Sequence, residues 1–254
     1  LGWTQGKTPY AGSDSLAWRL EPGTDLLLQV HMLPTGKAES IQARIGLFFA
    51  DGPPRRSPAM LRLGRKDIDI PAGESAYRIR DTYQLPVDVE VLTIYPHAHY
   101  LGKETKAYAQ LPDGKEQGLI WIEDWDFSWQ DDYRFSEPVF LPANSTLVME
   151  YTYDNSAQNP RNPHAPPVRV RYGLHSADEM GDLTLQVLPR LPEDLPRLRS
   201  GLSKGDDNDW ENTIRKIGTQ DWLEKEAPEI QKAIQEATSS SKQKLNRGSN
   251  RCKP

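Results

Sequence analysis

The sequence predicts an all-β chain folded as an antiparallel β-sandwich, and three observations carry that prediction. From Asp25 to Leu188, short runs rich in β-branched, aromatic and leucine residues follow one another. Several alternate apolar with polar positions, the period of two expected of half-buried strands. No helical segment separates them, and the 21 prolines and 18 glycines among 254 residues supply the turns that short strands need.

In chain order the expected strands are Asp25–Met32 (DLLLQVHM), Ala43–Phe49 (ARIGLFF), Ser75–Gln84 (SAYRIRDTYQ) and Val87–Tyr95 (VDVEVLTIY). Lys103–Leu111 follows and runs into Pro112-Asp113-Gly114. That tripeptide is a turn by mechanism, because proline presets φ while aspartate and glycine accept the remaining geometry. Gly118–Ile122, Thr146–Asp154, Val168–Gly173 and Leu183–Leu188 complete the set. Asp51–Pro58 and Pro71–Gly73 read as loops, and Gln84–Pro86 reads as a domain junction, although spacing alone does not separate one sandwich from two. After Pro189 the character changes. Arg190–Asn208 reads as a linker, Asp209–Ile217 and Gln220–Thr238 have helical composition broken at Pro228, and Ser239–Pro254 is low in complexity.

Composition narrows the function classes. The apolar fraction is 37% and the mean hydropathy is -0.70, values expected of a folded body with a polar appendage. Net charge is -5 with the two signs interspersed, which excludes the basic stripe that nucleic acid requires. No apolar run reaches the roughly 18–20 residues of a membrane span. Cys252 is the only cysteine, so neither a disulfide framework nor a thiolate metal cluster is available. The chain starts at Leu1, and a fragment or processed form of a longer protein is the expectation.

The sharpest local feature is Tyr95-Pro96-His97-Ala98-His99-Tyr100-Leu101-Gly102. Following a strand, period-two geometry sets His97 and His99 on one face, where two imidazoles can chelate one metal. By itself an H-x-H is equally a pair of hydrogen-bonded histidines. Imidazole suits zinc, copper, iron and nickel alike.

The H-x-H followed by an aromatic and Leu-Gly is similar to the second domain of the type II, ascorbate-dependent copper monooxygenases, the peptidylglycine- and dopamine-hydroxylating family. Ser176-Ala177-Asp178-Glu179-Met180 resembles that family's S-D-E-M segment, Leu28-Gln29-Val30-His31 its L-Q-V-H, and Pro71-Ala72-Gly73-Glu74 its P-P-G-E. The resemblance covers roughly Leu16 to Pro189 and is closest to bacterial-type relatives. It implies a jelly-roll-like C-terminal sandwich over 85–189, preceded over 1–84 by the end of a first β domain and followed over 190–254 by a linker and helical tail. It also implies that His97, His99 and Met180 bind an oxygen-activating copper, and that His31 contributes to an electron-transfer copper. Copper would be the cofactor and ascorbate the electron donor. The partners would be O2, a small-molecule substrate and an upstream domain of the same polypeptide, in an extracytoplasmic setting. A thioether beside two imidazoles fits copper chemistry, since soft sulfur favours Cu(I).

Departures from the family pattern are as informative. The H-H pair that completes the electron-transfer site is missing, so His31 stands alone. Tyr95 replaces the arginine that holds a peptide carboxylate, Asp182 and Thr184 stand where an asparagine and a tyrosine assist, and Gly181 replaces a cysteine. Peptide amidation is therefore not the expected reaction. The alternative function is a non-catalytic metal- or ligand-binding accessory sandwich, and a purely structural domain is a further one. His175 and His164 read first as loop residues. In the aromatic stretch Trp121–Trp129, packing is the first reading, and Trp125 and Trp129 are the candidates for a substrate platform. Gly2–Thr8 imitates a P-loop but has too few intervening residues.

Overall fold

The structure, a computed structural model, describes residues 35–202 except 53 and 55, together with positions 16, 20, 22, 23 and 28. The expected strand at Asp25–Met32, His31 and the tail from residue 203 lie outside the described residues. The chain divides into Leu1–Leu202 and Ser203–Pro254, and the description below concerns the first.

Ten strands occur among the described residues: β1 (Ala59–Gly64), β2 (Asp69–Ile70), β3 (Tyr77–Gln84), β4 (Val89–Ala98), β5 (Gly102–Gln110), β6 (Glu116–Ile122), β7 (Tyr133–Leu141), β8 (Thr146–Tyr153), β9 (Val170–Arg171) and β10 (Gly181–Pro189). They form two four-stranded antiparallel sheets, ordered β1-β10-β4-β7 and β3-β8-β5-β6, and a small β2-β9 pair. With that small pair set aside, the eight long strands pair as first-eighth-third-sixth and second-seventh-fourth-fifth. That is the strand order of a jelly roll. The fold is thus the all-β antiparallel sandwich expected from the sequence.

Burial explains why these segments hold. One face of each sheet turns inward: Leu61 and Leu63 from β1, Ile94 from β4 and Leu183 and Leu185 from β10 meet Ile79, Ala107 and Met149 from the opposite sheet in one core. Each large side chain so buried contributes about 1.5–3 kcal/mol. Two core tyrosines bind the sheets more specifically. From β8, the Tyr151 hydroxyl donates to the Asp182 carbonyl at 2.8 Å, and the Tyr153 hydroxyl donates to the Met180 carbonyl at 2.9 Å. Both carbonyls belong to the start of β10 or the residue before it.

The registers set one rim of the sandwich. Gly64 ends β1 opposite Asp182, Ala98 ends β4 opposite Gly181, and Tyr153 ends β8 opposite both Gly102 and Tyr77. The chain therefore crosses between sheets at this rim through residues 65–76, 99–101, 123–132 and 154–180.

Three expectations are corrected. Gln84–Pro86 is not a junction between sandwiches, because β1 and β3 are ladder-paired with β10 and β8 and share their core. The boundary at 84/85 therefore cuts through a single sandwich. Ala43–Phe49 has the alternation of a strand but forms none, and Phe48 and Phe49 are 90% and 82% exposed. Alternation makes a strand only where a neighbour supplies a ladder. The start of the expected linker is ordered: a 3-10 turn, Pro192–Asp194, leads into α1 (Leu195–Leu202), which seats Leu198 in the core at 0% exposure. No helix among the described residues is long and apolar enough to cross a membrane.

The docking of α1 gives a direct test. Leu198→Ala is expected to lower unfolding free energy by about 2–5 kcal/mol, the range for a buried leucine. Leu191→Ala, at a half-exposed position, should stay within about 0.5 kcal/mol. Urea denaturation of the two variants compares them.

Candidate metal centre

The site begins with an irregularity. In β4, Leu92 is an extra residue between the pairs Val91–Val187 and Thr93–Gln186. Before this bulge Val89 and Val91 face the core, and after it Ile94, Pro96 and Ala98 do. The bulge resets the alternation, so Tyr95 and His97 take the outer face at the rim. His99 lies just past the strand and is 4% exposed. The rings of His97 and His99 stand edge to face, with centroids 5.2 Å apart.

Each imidazole is oriented through its Nδ1. His99 Nδ1 donates to the Asp178 carbonyl at 3.1 Å. His97 Nδ1 is 2.5 Å from Gln130 Oε1. The Gln130 amide nitrogen donates to the Phe127 carbonyl at 2.8 Å, so its oxygen is the end turned to His97, and His97 Nδ1 is the donor. In both rings the tautomer therefore carries its lone pair on Nε2. Metal-ligating histidines are commonly held in this way, their second nitrogen donating to a carbonyl or amide oxygen. Phe127, from the same loop as Gln130, meets the His99 ring edge to face at 5.6 Å and Tyr100 at 4.5 Å.

Electrostatics favour a neutral His99 ring. Burial, and then the neighbouring His97, push His99 down to about 4, while its contact with Asp178 pulls weakly the other way. Tyr95 stacks on His97 at 6.4 Å. Its phenol is pushed up to about 12 by burial and by Asp132, Asp131 and Asp182.

Met180 precedes Gly181, which pairs with Ala98, so continuing the register by one residue sets Met180 opposite His99. Its backbone is fixed at both ends: the carbonyl accepts from Tyr153, and the N–H donates to Glu179 Oε1 at 2.9 Å. The same Oε1 accepts from the His99 N–H at 2.5 Å, and Oε2 accepts from the Leu101 N–H at 3.0 Å. Glu179 is completely buried. Burial raises its carboxyl to about 8, against the three N–H donors that favour the anion.

Two glycines make room at the rim. A Cβ on Gly181 would lie 2.4 Å from both Ile79 Cδ1 and the Tyr153 hydroxyl. The cysteine that the resembled family carries at this position would meet the same atoms. A Cβ on Gly102 would lie 2.6 Å from Trp125 Cδ1. Trp125 is a core residue, 1% exposed, with its indole N–H donating to the His99 carbonyl at 3.2 Å. It therefore packs beneath the site and is not a surface platform. Trp129 is 70% exposed on the Phe127–Gln130 loop.

His97 and His99 are thus brought together, with Met180 at the adjoining strand end. Among the described residues, no three His, Cys, Asp or Glu side chains gather as a metal cage. If Met180 joined the pair, the donors would be two imidazoles and a thioether, a set that suits copper better than the harder divalent ions. His175 is exposed in a turn with Asp178, and His164 caps a loop with Asn162. Sequence reasoning gave no role to Gln130, Phe127 or Glu179. Only Glu179 carried a signal, as a polar residue inside the quoted S-A-D-E-M segment.

No family model and no curated protein matches the chain. Among solved structures it is similar to those of the Gt and Gx strains of infectious bursal disease virus, at 12% and 10% identity. Those matches cover 80% and 70% of this chain but only 61% and 52% of the viral chains, with TM-scores of 0.26 and 0.25. At such scores the likeness carries no argument about site or activity.

Two predictions concern the metal-free protein. Gly181→Ala should lose about 1–3 kcal/mol by overpacking, measurable by thermal unfolding. The second concerns pH. Glu179 binds its proton up to about 8 when folded, against an ordinary value of 4.5, so its contribution is full below 4.5 and is lost as pH rises through about 8. His99 is depressed from 6.5 to about 4, so its contribution is full above 6.5 and is lost as pH falls through about 4. The two slopes oppose between 4.5 and 6.5, and only that of Glu179 remains from 6.5 to 8. Stability should therefore decline from pH 6.5 to 8, at up to about 1.4 kcal/mol per pH unit. Chemical denaturation across that interval should show the decline in wild type and a flatter profile in Glu179→Gln.

Proposed function

We propose that this chain is the oxygen-activating copper portion of an ascorbate-dependent monooxygenase that hydroxylates a substrate C–H bond, acting within a longer protein. The observation that carries the reading is the paired tautomer: both His97 and His99 donate through Nδ1, to Gln130 and Asp178, and so present Nε2 as the ligating atom beside Met180. Copper held by these three side chains would supply one-electron chemistry and an open position for O2, with ascorbate as reductant. The protein's own part is to orient both imidazoles, to keep His99 neutral and to hold Met180 at the strand end. Phe127 packs edge to face on the His99 ring, and Trp125 holds the His99 carbonyl from the core side. Tyr95 offers no cation for a substrate carboxylate, which supports a substrate other than a peptide C-terminus.

Chelator competition under anaerobic conditions tests the site. Met180→Ala should weaken Cu(I) by on the order of tenfold while leaving Cu(II) affinity nearly unchanged, and His97→Ala should weaken both. Unchanged Cu(I) affinity in both variants sinks the proposal. Ascorbate-dependent oxygen uptake by the full-length protein then separates an enzyme from a metal-binding module.

A further inference from the structure

We infer that Glu179 is the positioning residue of this centre, a single carboxyl group that sets the spacing between the backbones of two ligands; this rests on the copper reading above. The β4–β10 ladder ends at the pair Ala98–Gly181. Beyond it the chain turns from β4 into β5, and no ladder bond relates His99 to Met180. Glu179 Oε1 takes the place of that bond. It accepts from the His99 N–H and the Met180 N–H together, at 2.5 and 2.9 Å, so the two nitrogens are held no further apart than the sum of those distances. The second oxygen accepts from Leu101 at 3.0 Å, which stops the carboxyl group from rotating. His99 and Glu179 are 80 residues apart in sequence, and the Ala98–Gly181 pair and the His99–Asp178 bond bring them near, while the carboxyl group joins the two ligand backbones directly.

A role in positioning differs from a role in stability by what it moves. Glu179→Gln keeps an oxygen able to accept from both ligand backbones and exchanges only the Leu101 contact. Glu179→Asp keeps the acid but withdraws it by one methylene, which uncouples Met180 from His99. Cu(I) affinity by chelator competition and copper K-edge X-ray absorption, both on the full chain, read the difference.

Glu179→Gln should bind Cu(I) within about threefold of wild type. Glu179→Asp should bind about tenfold more weakly and lose sulfur scattering. In a Met180→Ala background the further loss from Glu179→Asp should shrink or vanish, because the ligand it positions is gone. The inference is overturned if folded Glu179→Asp binds as wild type with its sulfur scattering intact, or if its loss is undiminished in the Met180→Ala background. It is overturned too if neither variant folds, since Glu179 is then a folding determinant alone. A wild-type protein whose Cu(I) binding is independent of Met180 removes the copper reading and this inference together. A wild-type-like Glu179→Asp removes only the inference.

Discussion

A carboxyl group beyond the reach of solvent must be met by donors or the fold cannot keep it. Glu179 is met by three backbone N–H groups, from His99, Leu101 and Met180. Those groups lie where regular pairing has run out, at the turn between β4 and β5 and just before β10. An apolar residue of the same size would leave three buried donors unanswered, at about 1–3 kcal/mol each. The site is therefore built on a structural necessity: the bond set that closes this corner of the sandwich also brings a histidine and a methionine side by side.

The jelly roll determines which parts of the chain reach that corner. Its strand order sets the end of β4 beside the start of β10 and carries the 99–101, 123–132 and 154–180 crossovers to one rim. Each crossover supplies something different. The first supplies His99 and Leu101. The second supplies Phe127 and Gln130 against the imidazoles, and the third supplies Asp178, Glu179 and Met180. Tyr151 and Tyr153 then tie the opening of β10 to the opposite sheet. A shift of β10 in register would have to break these bonds through the core and drive a side chain into the space that Gly181 leaves. The placement of His99 and Met180 thus inherits the rigidity of the sandwich interior, although His97 itself faces outward.

Much of the sandwich was legible because half-buried strands advertise themselves by alternation, as β3, β4, β5, β8 and β10 do. Edge strands were harder. β7, absent from the expected set, lies at a sheet edge and carries Pro138 where its register slips between Arg134 and Val139, a place that needs no ladder donor. β1 is short and follows the proline-rich 51–58 stretch. The alternation of Ala43–Phe49 misled in the other direction, since sequence shows the pattern and not the partner. The histidine pair was legible as a motif. What orients it was not, because Gln130 lies 33 residues from His97 and Glu179 lies 80 from His99. Local sequence also gave no sign of the Leu92 bulge, on which the facing of His97 depends.

The charge state of the surroundings bears on which metal such a site suits. Burial disfavours the charged form of both His99, pushed down to about 4, and Glu179, pushed up to about 8 against its three N–H donors. The carboxylates near the outer face act on Tyr95, and Asp182 is occupied by Arg62 at 2.8 Å. Two imidazole nitrogens and a thioether would do little to offset a dication's charge, and Phe127 packs on the His99 ring where water would otherwise help. A monovalent soft ion loses less on entering such a place than zinc or Cu(II), which gain most from anionic or harder donors. The low pKa of His99 adds to this preference, because over most of the ordinary pH range no proton competes for the nitrogen that would bind the metal. Burial, which disfavours charge on His99 and on Glu179, would by the same effect tilt the proposed donor set toward Cu(I).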